Sequence, residues 1–305
     1  MVNFKFRRII VGLGIFACLF TGCGQEIVST EEEAIQESVT ETMTSEQASA
    51  SEESDTSVTI NLADVTAEQL KQVTMSIETI QQNSDWEAME KMDFIVLDSE
   101  EDDVVLYGRG IGEGMILRVK DEVYPIMEGW LSPRVQIPEL YIQDMDKDGE
   151  IEYIIKTHVK TGTGVSGDDL YVITHKDGTF TMHKFMEDDW YKQLMSQLSW
   201  EYDEEYDTVE VYVDGTFSGA TLCLAKFLEE NQVSFQDLCF GDIMEFVCHD
   251  EQWYLWVQGG IIVGDWVTPQ YEYGIDILAP FSYSADGTFT LGEMQVTARN
   301  EYEEE

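Results

Sequence analysis

The sequence predicts a mainly β domain over residues 61–300, made of propeller-like repeated antiparallel hairpins with a packed N-terminal helix. A two-sheet β-sandwich is the alternative. Three observations carry this expectation. From Phe94 onward the apolar residues come in short runs of period two, punctuated by Asp, Glu and Gly, as antiparallel strands and tight turns require. The tetrapeptide Asp-Gly-Thr-Phe occurs at Asp177, Asp214 and Asp286, with starts 37 and 72 residues apart, close to one and two units of a repeat. Upstream of these runs, the spacing of apolar residues is helical.

Taken in order, the chain begins with Lys5, Arg7 and Arg8 and an apolar run from Ile9 to Phe20, shorter than the roughly 20 apolar residues of a spanning helix. The run ends in Leu19-Phe-Thr-Gly-Cys23. A signal whose small-residue site is followed at once by cysteine resembles a bacterial lipoprotein signal. The resemblance implies removal of residues 1–22, lipidation of Cys23, and an extracytoplasmic protein attached to the membrane by its acyl chains. Residues 23–60 are rich in Glu, Ser, Thr and Gln, without an aromatic or basic residue. Such a segment cannot bury a core and is expected to be a disordered acidic spacer.

Residues 64–92 carry the helical signal. Thr66 and Gln69 have capping-box spacing, and Leu70, Val73, Ile77 and Ile80 form one stripe at three- and four-residue intervals. Trp86, Met89 and Met92 suggest a second short helix. Strands follow at Phe94–Leu97, Val104–Tyr107, Met115–Val119 and Val123–Ile126. Arg109-Gly-Ile-Gly-Glu-Gly114 lies between strands and opens no helix, so it is a loop and not a phosphate cradle. Further runs fall at Ile151–Val159, Leu170–Ile173, Phe180–Lys184, Thr208–Val213, Ala220–Leu224, Asp242–Cys248, Trp253–Val263, Gly274–Leu278 and Phe289–Val296. Helical turns are expected at about Asp189–Leu198 and Ala225–Glu230. Residues 301–305 form an acidic tail.

The stretch richest in chemistry is Asp144-Met-Asp-Lys-Asp-Gly-Glu-Ile-Glu152, which holds five acids against one lysine. Asp144, Asp146 and Asp148 alternate, Gly149 allows a sharp turn with positive φ, Glu150 offers its carbonyl and Glu152 closes the set. Oxygen-rich loops of this kind hold Ca²⁺. An EF-hand needs a bidentate Glu at loop position twelve; that residue here is Ile155, so the EF-hand is rejected. Asp-x-Asp-x-Asp-Gly-x-x-acid running into an apolar strand instead resembles the FG-GAP/VCBS-type calcium hairpin, with Glu152 where that family usually has Asp. The stretch from Pro138 to Leu170, including Thr161-Gly-Thr-Gly-Val-Ser-Gly167, is similar to VCBS-repeat lipoproteins of Gram-positive bacteria. The likeness is weaker over Phe94–Gly114 and Ile275–Leu291. It implies a Ca²⁺-stapled β repeat at the cell surface.

The remaining features narrow the function. With 61 acidic and 17 basic residues the formal charge is −44, which repels phosphate backbones and argues against nucleic acid as a partner. Cys223, Cys239 and Cys248 are an odd set, and both one bridge with a free thiol and three thiols stay open. His158, His175, His183 and His249 lack metal-ligand spacing, and His158 and His175 are expected to face solvent. Trp253-Tyr-Leu-Trp256, Trp266, Tyr271 and Tyr273 are expected to be core aromatics. These features point to a non-catalytic surface protein that binds an extracellular protein or glycan. The alternative is a secreted hydrolase using carboxylates such as Asp168.

Overall fold

A computed structural model describes residues 62–84, 86, 92–101, 103–109, 114–130, 136–264, 269–299 and 302. All of them belong to one unit of the chain, Ser57–Glu305. Cys23, the signal, the acidic spacer, Met89 and Trp266 lie outside the described residues, as does most of the Arg109–Gly114 loop.

The fold is mainly β. Strands β1 (Ile95–Glu101), β2 (Val104–Gly108), β3 (Met115–Val119) and β4 (Glu122–Ile126) form a four-stranded antiparallel meander. After it come β5 (Glu139–Gln143), β6 (Glu152–Gly162), β7 (Val165–Lys176) and β8 (Thr179–Lys184). Strands β9 (Leu198–Asp203), β10 (Thr208–Val213) and β11 (Thr216–Cys223) make a separate three-stranded sheet. The last group is β12 (Phe235–His249), β13 (Gln252–Gly264), β14 (Pro269–Tyr283), β15 (Phe289–Leu291) and β16 (Gln295–Ala298). It joins β5–β8 in a nine-stranded sheet of order β15-β14-β13-β12-β7-β6-β5, with β16 on β14 and β8 on β7. The seam of that sheet is a parallel pairing of β12 with β7, at Ile243 and Ser166.

Strands β6 and β7 are covered on both faces, which explains why they read as continuous apolar runs and not as alternation. Ile154, Leu170 and Val172 face the larger core with Phe246, Trp253 and Leu255. Their neighbours Ile155, Tyr171 and Ile173 face a second core shared with β1–β4. Strand β13 is buried at Trp253, Leu255 and Val257 and partly exposed at Tyr254 and Trp256, so this part of the aromatic cluster packs the core. Asp98 adds a tie between the sheets by accepting the Leu140 N–H of β5 at 3.0 Å.

The helical segment is broken where a continuous stripe was expected. Thr66 and Gln69 do form a capping box on α1 (Ala67–Leu70). The chain then leaves the helix, and Val96 N–H donates to the Met75 carbonyl at 2.9 Å. Ser76 pairs with Val96 and caps α2 (Ile77–Asn83). Competition from the edge of β1 therefore divides the stripe, and its two halves pack in different cores: Leu70 in one, Ile77 and Ile80 in the other. Helix α3 (Glu187–Gln197) opens with Glu187, Asp188 and Asp189, charges that suit the helix dipole. Helix α4 spans Ala225–Asn231.

The propeller-like repetition of blades is not shown. Among the described residues, one sheet has four strands, one three and one nine, a set that does not divide into equal blades. The Asp-Gly-Thr-Phe tetrapeptides are hairpin turns, which is local chemistry. Asp177-Gly178 and Asp214-Gly215 have positive φ at both residues, the pattern of the two-residue turn that matches strand twist. At Asp286-Gly287 only the glycine is left-handed, and Ser284 and Thr288 close a longer loop. The same four residues thus make two different turns. At the end of the chain, Tyr302, placed by sequence in the acidic tail, is buried against Phe227. Cys223, Cys239 and Cys248 are half-buried thiols, none of them in a disulfide.

Candidate metal centre

The acidic stretch connects β5 to β6, and the register of that hairpin builds the site. Gln143 is the last residue of β5 and lies directly opposite Glu152, the first residue of β6. Asp144 therefore emerges beside Glu152 without help from the loop. Gln143 is itself held from outside: its amide accepts from Trp253 Nε1 at 3.0 Å and donates to the Glu251 carbonyl at 2.6 Å.

Between these ends the carboxylates fold the loop around themselves. Asp144 Oδ2 accepts from Gly149 N at 3.0 Å, Asp146 Oδ1 from Asp148 N at 3.0 Å, and Asp148 Oδ1 from Glu150 N at 2.8 Å. Glu152 Oε2 accepts from Met145 N at 2.7 Å. Gly149 has φ +92° with open space around it, so the turn needs glycine for its conformation and not for close packing. Lys147 is exposed, as a residue between ligands should be.

Of the five acids, the fold brings three together. One carboxylate oxygen each from Asp144, Asp146 and Glu152 lies within 4.8 Å of the others. The side chains of Asp148 and Glu150 turn to Lys176 at the end of β7, at 2.8 and 2.9 Å. That ion pair, with the Glu150 N–H, holds the Asp148 carboxyl below its ordinary range. Lys176 is far away in sequence, and no local pattern marks it as the loop's counter-charge.

Glu152 is the inner wall. It is 1% exposed, and burial, together with the charges of Asp146 and Asp148, raises its carboxyl above the ordinary range against the Met145 and Asp146 N–H groups. Two oxygens of the cluster, Asp144 Oδ1 and Glu152 Oε1, are buried without a hydrogen-bond partner. Leaving such an acceptor unpaired costs about 1–3 kcal/mol, more when it is charged. The donor set is all oxygen, the two orphan atoms belong to it, and the three carboxylates carry a local negative charge. A hard divalent cation answers all three features.

A second cluster lies away from the loop. His158, expected at the surface, is 6% exposed, because both faces of β6 are covered. Its Nδ1 is 2.9 Å from Asp168 Oδ1 across the β6–β7 ladder. Lys156, also buried, reaches Glu139 at 2.9 Å and Glu245 at 3.4 Å. His175 is partly exposed, stacked on Phe180 with ring centroids 4.0 Å apart and 2.8 Å from Glu122. Compared with known protein families, curated proteins and solved structures, the chain matches none.

Proposed function

We propose that this is an extracytoplasmic lipoprotein, anchored through Cys23, whose β domain is stapled by Ca²⁺ and binds an extracellular protein or glycan without catalysis. The observation that carries the reading is the Asp144–Asp146–Glu152 triad, whose buried orphan oxygens call for a cation. Asp148 and Glu150 stand at its outer edge, with Lys176 balancing their charge, and Gly149 supplies the turn. The loop closes the hairpin between β5 and β6 at one end of the nine-stranded sheet, with β5 as its edge strand. A cation there holds one end of that hairpin, which is the role of a staple.

The same loop borders an open cleft of about 680 Å³, lined by Tyr141, Gln143, Asp144, Lys147, Asp250 and Glu251 among others. A partner bound in this cleft would feel the metal. The anchor and the location rest on the resemblance of residues 1–23 to a lipoprotein signal. The geometry of Asp168 weighs against the hydrolase alternative. Asp168 is buried and engaged with His158, and a general acid must come within hydrogen-bond reach of its substrate.

The test is a pull-down from cell-envelope material with the full-length chain, run with Ca²⁺ and with EDTA. Recovery of one protein or glycan in Ca²⁺ and its loss in EDTA is the expected result. Equal recovery in both, or none in either, counts against a Ca²⁺-dependent binding domain. Mass spectrometry of the N-terminal peptide should show an acyl-modified Cys23 in the wild type and none in Cys23→Ala.

A further inference from the structure

Tyr283 ends strand β14, 131 positions beyond Glu152 in the chain, and nothing in the local sequence connects it with the acidic loop. It is 3% exposed, yet its hydroxyl has no hydrogen-bond partner. Buried phenols ordinarily find one.

The ladder shows which face of the sheet the Tyr283 ring packs on. Ile154 pairs with Val172, and Val172 with His183. Alternation then puts Glu152, Ile154, Val172 and His183 on one face of the sheet, with Glu152 one step nearer the loop. Tyr283 packs edge-on against His183, with ring centroids 5.9 Å apart, and against Phe289 at 5.1 Å. Met145 from the acidic loop belongs to the same apolar core as Tyr283 and Phe289.

Electrostatics agree with that placement. Burial first, and then the negative charges of Glu152 and Asp146, push the Tyr283 hydroxyl up to about 12. A phenolic hydroxyl both donates and accepts. Glu152 Oε1 and Tyr283 Oη are both buried, both unpaired and not bonded to one another. Each is a buried polar atom that protein groups leave unpaired, and the charges of Glu152 and Asp146 are felt at the phenol.

We propose that Tyr283 is a positioning residue of the metal centre, its hydroxyl holding a water carried by the cation. The proposal rests on the cation reading above and adds a consequence to it. The metal then ties the β14–β15 hairpin to the β5–β6 hairpin, so that opposite ends of the nine-stranded sheet are fastened at one point.

Two measurements on the full chain test it: calorimetric Ca²⁺ titration, and the near-ultraviolet tyrosine difference spectrum produced by Ca²⁺. Wild type, Tyr283→Phe and Asp146→Asn are compared. The wild type should bind Ca²⁺ with a tyrosine difference band. Tyr283→Phe keeps the ring packed on His183 and Phe289. It should still bind, roughly three- to tenfold more weakly as one net hydrogen bond is lost, and should lose the band. Wild-type affinity in Tyr283→Phe, or a band that survives in it, overturns the role of Tyr283 and leaves the cation reading standing. Absence of the band in the wild type, which needs no variant, overturns it also. Absence of Ca²⁺ binding by the wild type sinks both readings.

Discussion

Removing one charge from the Asp144–Asp146–Glu152 triad should stabilise the empty protein and weaken the loaded one. The perturbation is Asp146→Asn, which keeps the side-chain oxygen that accepts the Asp148 N–H and so leaves the turn intact. Two ionised carboxylates whose oxygens lie within 4.8 Å of one another repel by at least about 3 kcal/mol at an effective dielectric constant of about 20. Asp146 takes part in two of the three such pairs. The empty site relieves part of this by favouring the neutral form of Glu152, so the gain on removing Asp146 is smaller than the full repulsion. In EDTA, Asp146→Asn should therefore melt at or above the wild-type temperature. In Ca²⁺ at about one hundred times the dissociation constant, binding stabilises the wild type by about 2.7 kcal/mol. For a domain of this size that is a rise of roughly 5–10 °C, and the variant should show little of it. Thermal melts monitored by circular dichroism in both conditions supply the four numbers. An equal Ca²⁺-induced rise in both proteins refutes the argument. So does a variant that is less stable by the same amount with and without Ca²⁺, because Asp146 would then be needed for the fold and not for an ion.

Two further outcomes follow from sites away from the loop. Asp250 and Glu251 turn the β12–β13 hairpin with φ of +49° and +64°, a left-handed pair made without glycine, and Glu251→Gly should raise the urea midpoint by an amount equivalent to about 0.5–1 kcal/mol; an unchanged or lower midpoint would show that the turn carries no strain. The second outcome concerns pH. Burial opposes the ionisation of Glu139, but the Lys156 charge and hydrogen bonds from Tyr141, Lys156 and Gln136 outweigh it and bring its carboxyl below the ordinary value of 4.5. A depressed carboxylate contributes stability that is present above 4.5 and lost as pH falls through the lower folded value. Lys156→Met should flatten that part of the acid-stability curve, and an unaltered slope in acid titrations of the melt would remove Lys156 as the cause.

The elements were legible wherever period and turn chemistry were local. Met115–Val119 and Thr208–Val213 form strands with the limits expected of them, and the Thr66 capping box is present. Local pattern failed where a neighbour outbid it. The stripe from Leu70 to Ile80 broke because Val96 takes the Met75 carbonyl. Leu198 looked like the last turn of a helix and begins β9, where it pairs with Val213. Strand β5 was missed because Glu139-Leu-Tyr-Ile-Gln143 is short and half-exposed, and its meaning comes from β6 beside it. The repeated Asp-Gly-Thr-Phe was over-read: a turn motif reports the two residues it bends and nothing about the sheet that receives the strands.

The candidate site divides along the same line. Sequence alone determined the acidic loop, its glycine and the exclusion of an EF-hand, because ligand spacing within one turn is a local property. Tertiary structure selected Asp144, Asp146 and Glu152 from the five acids, since strand register decides which carboxylates meet. It also supplied Lys176, which reaches the loop from β7, and it buried His158 by covering a strand on both faces. Strand pairing brings together residues that are distant in the chain, and a single sequence holds no record of which strands will pair.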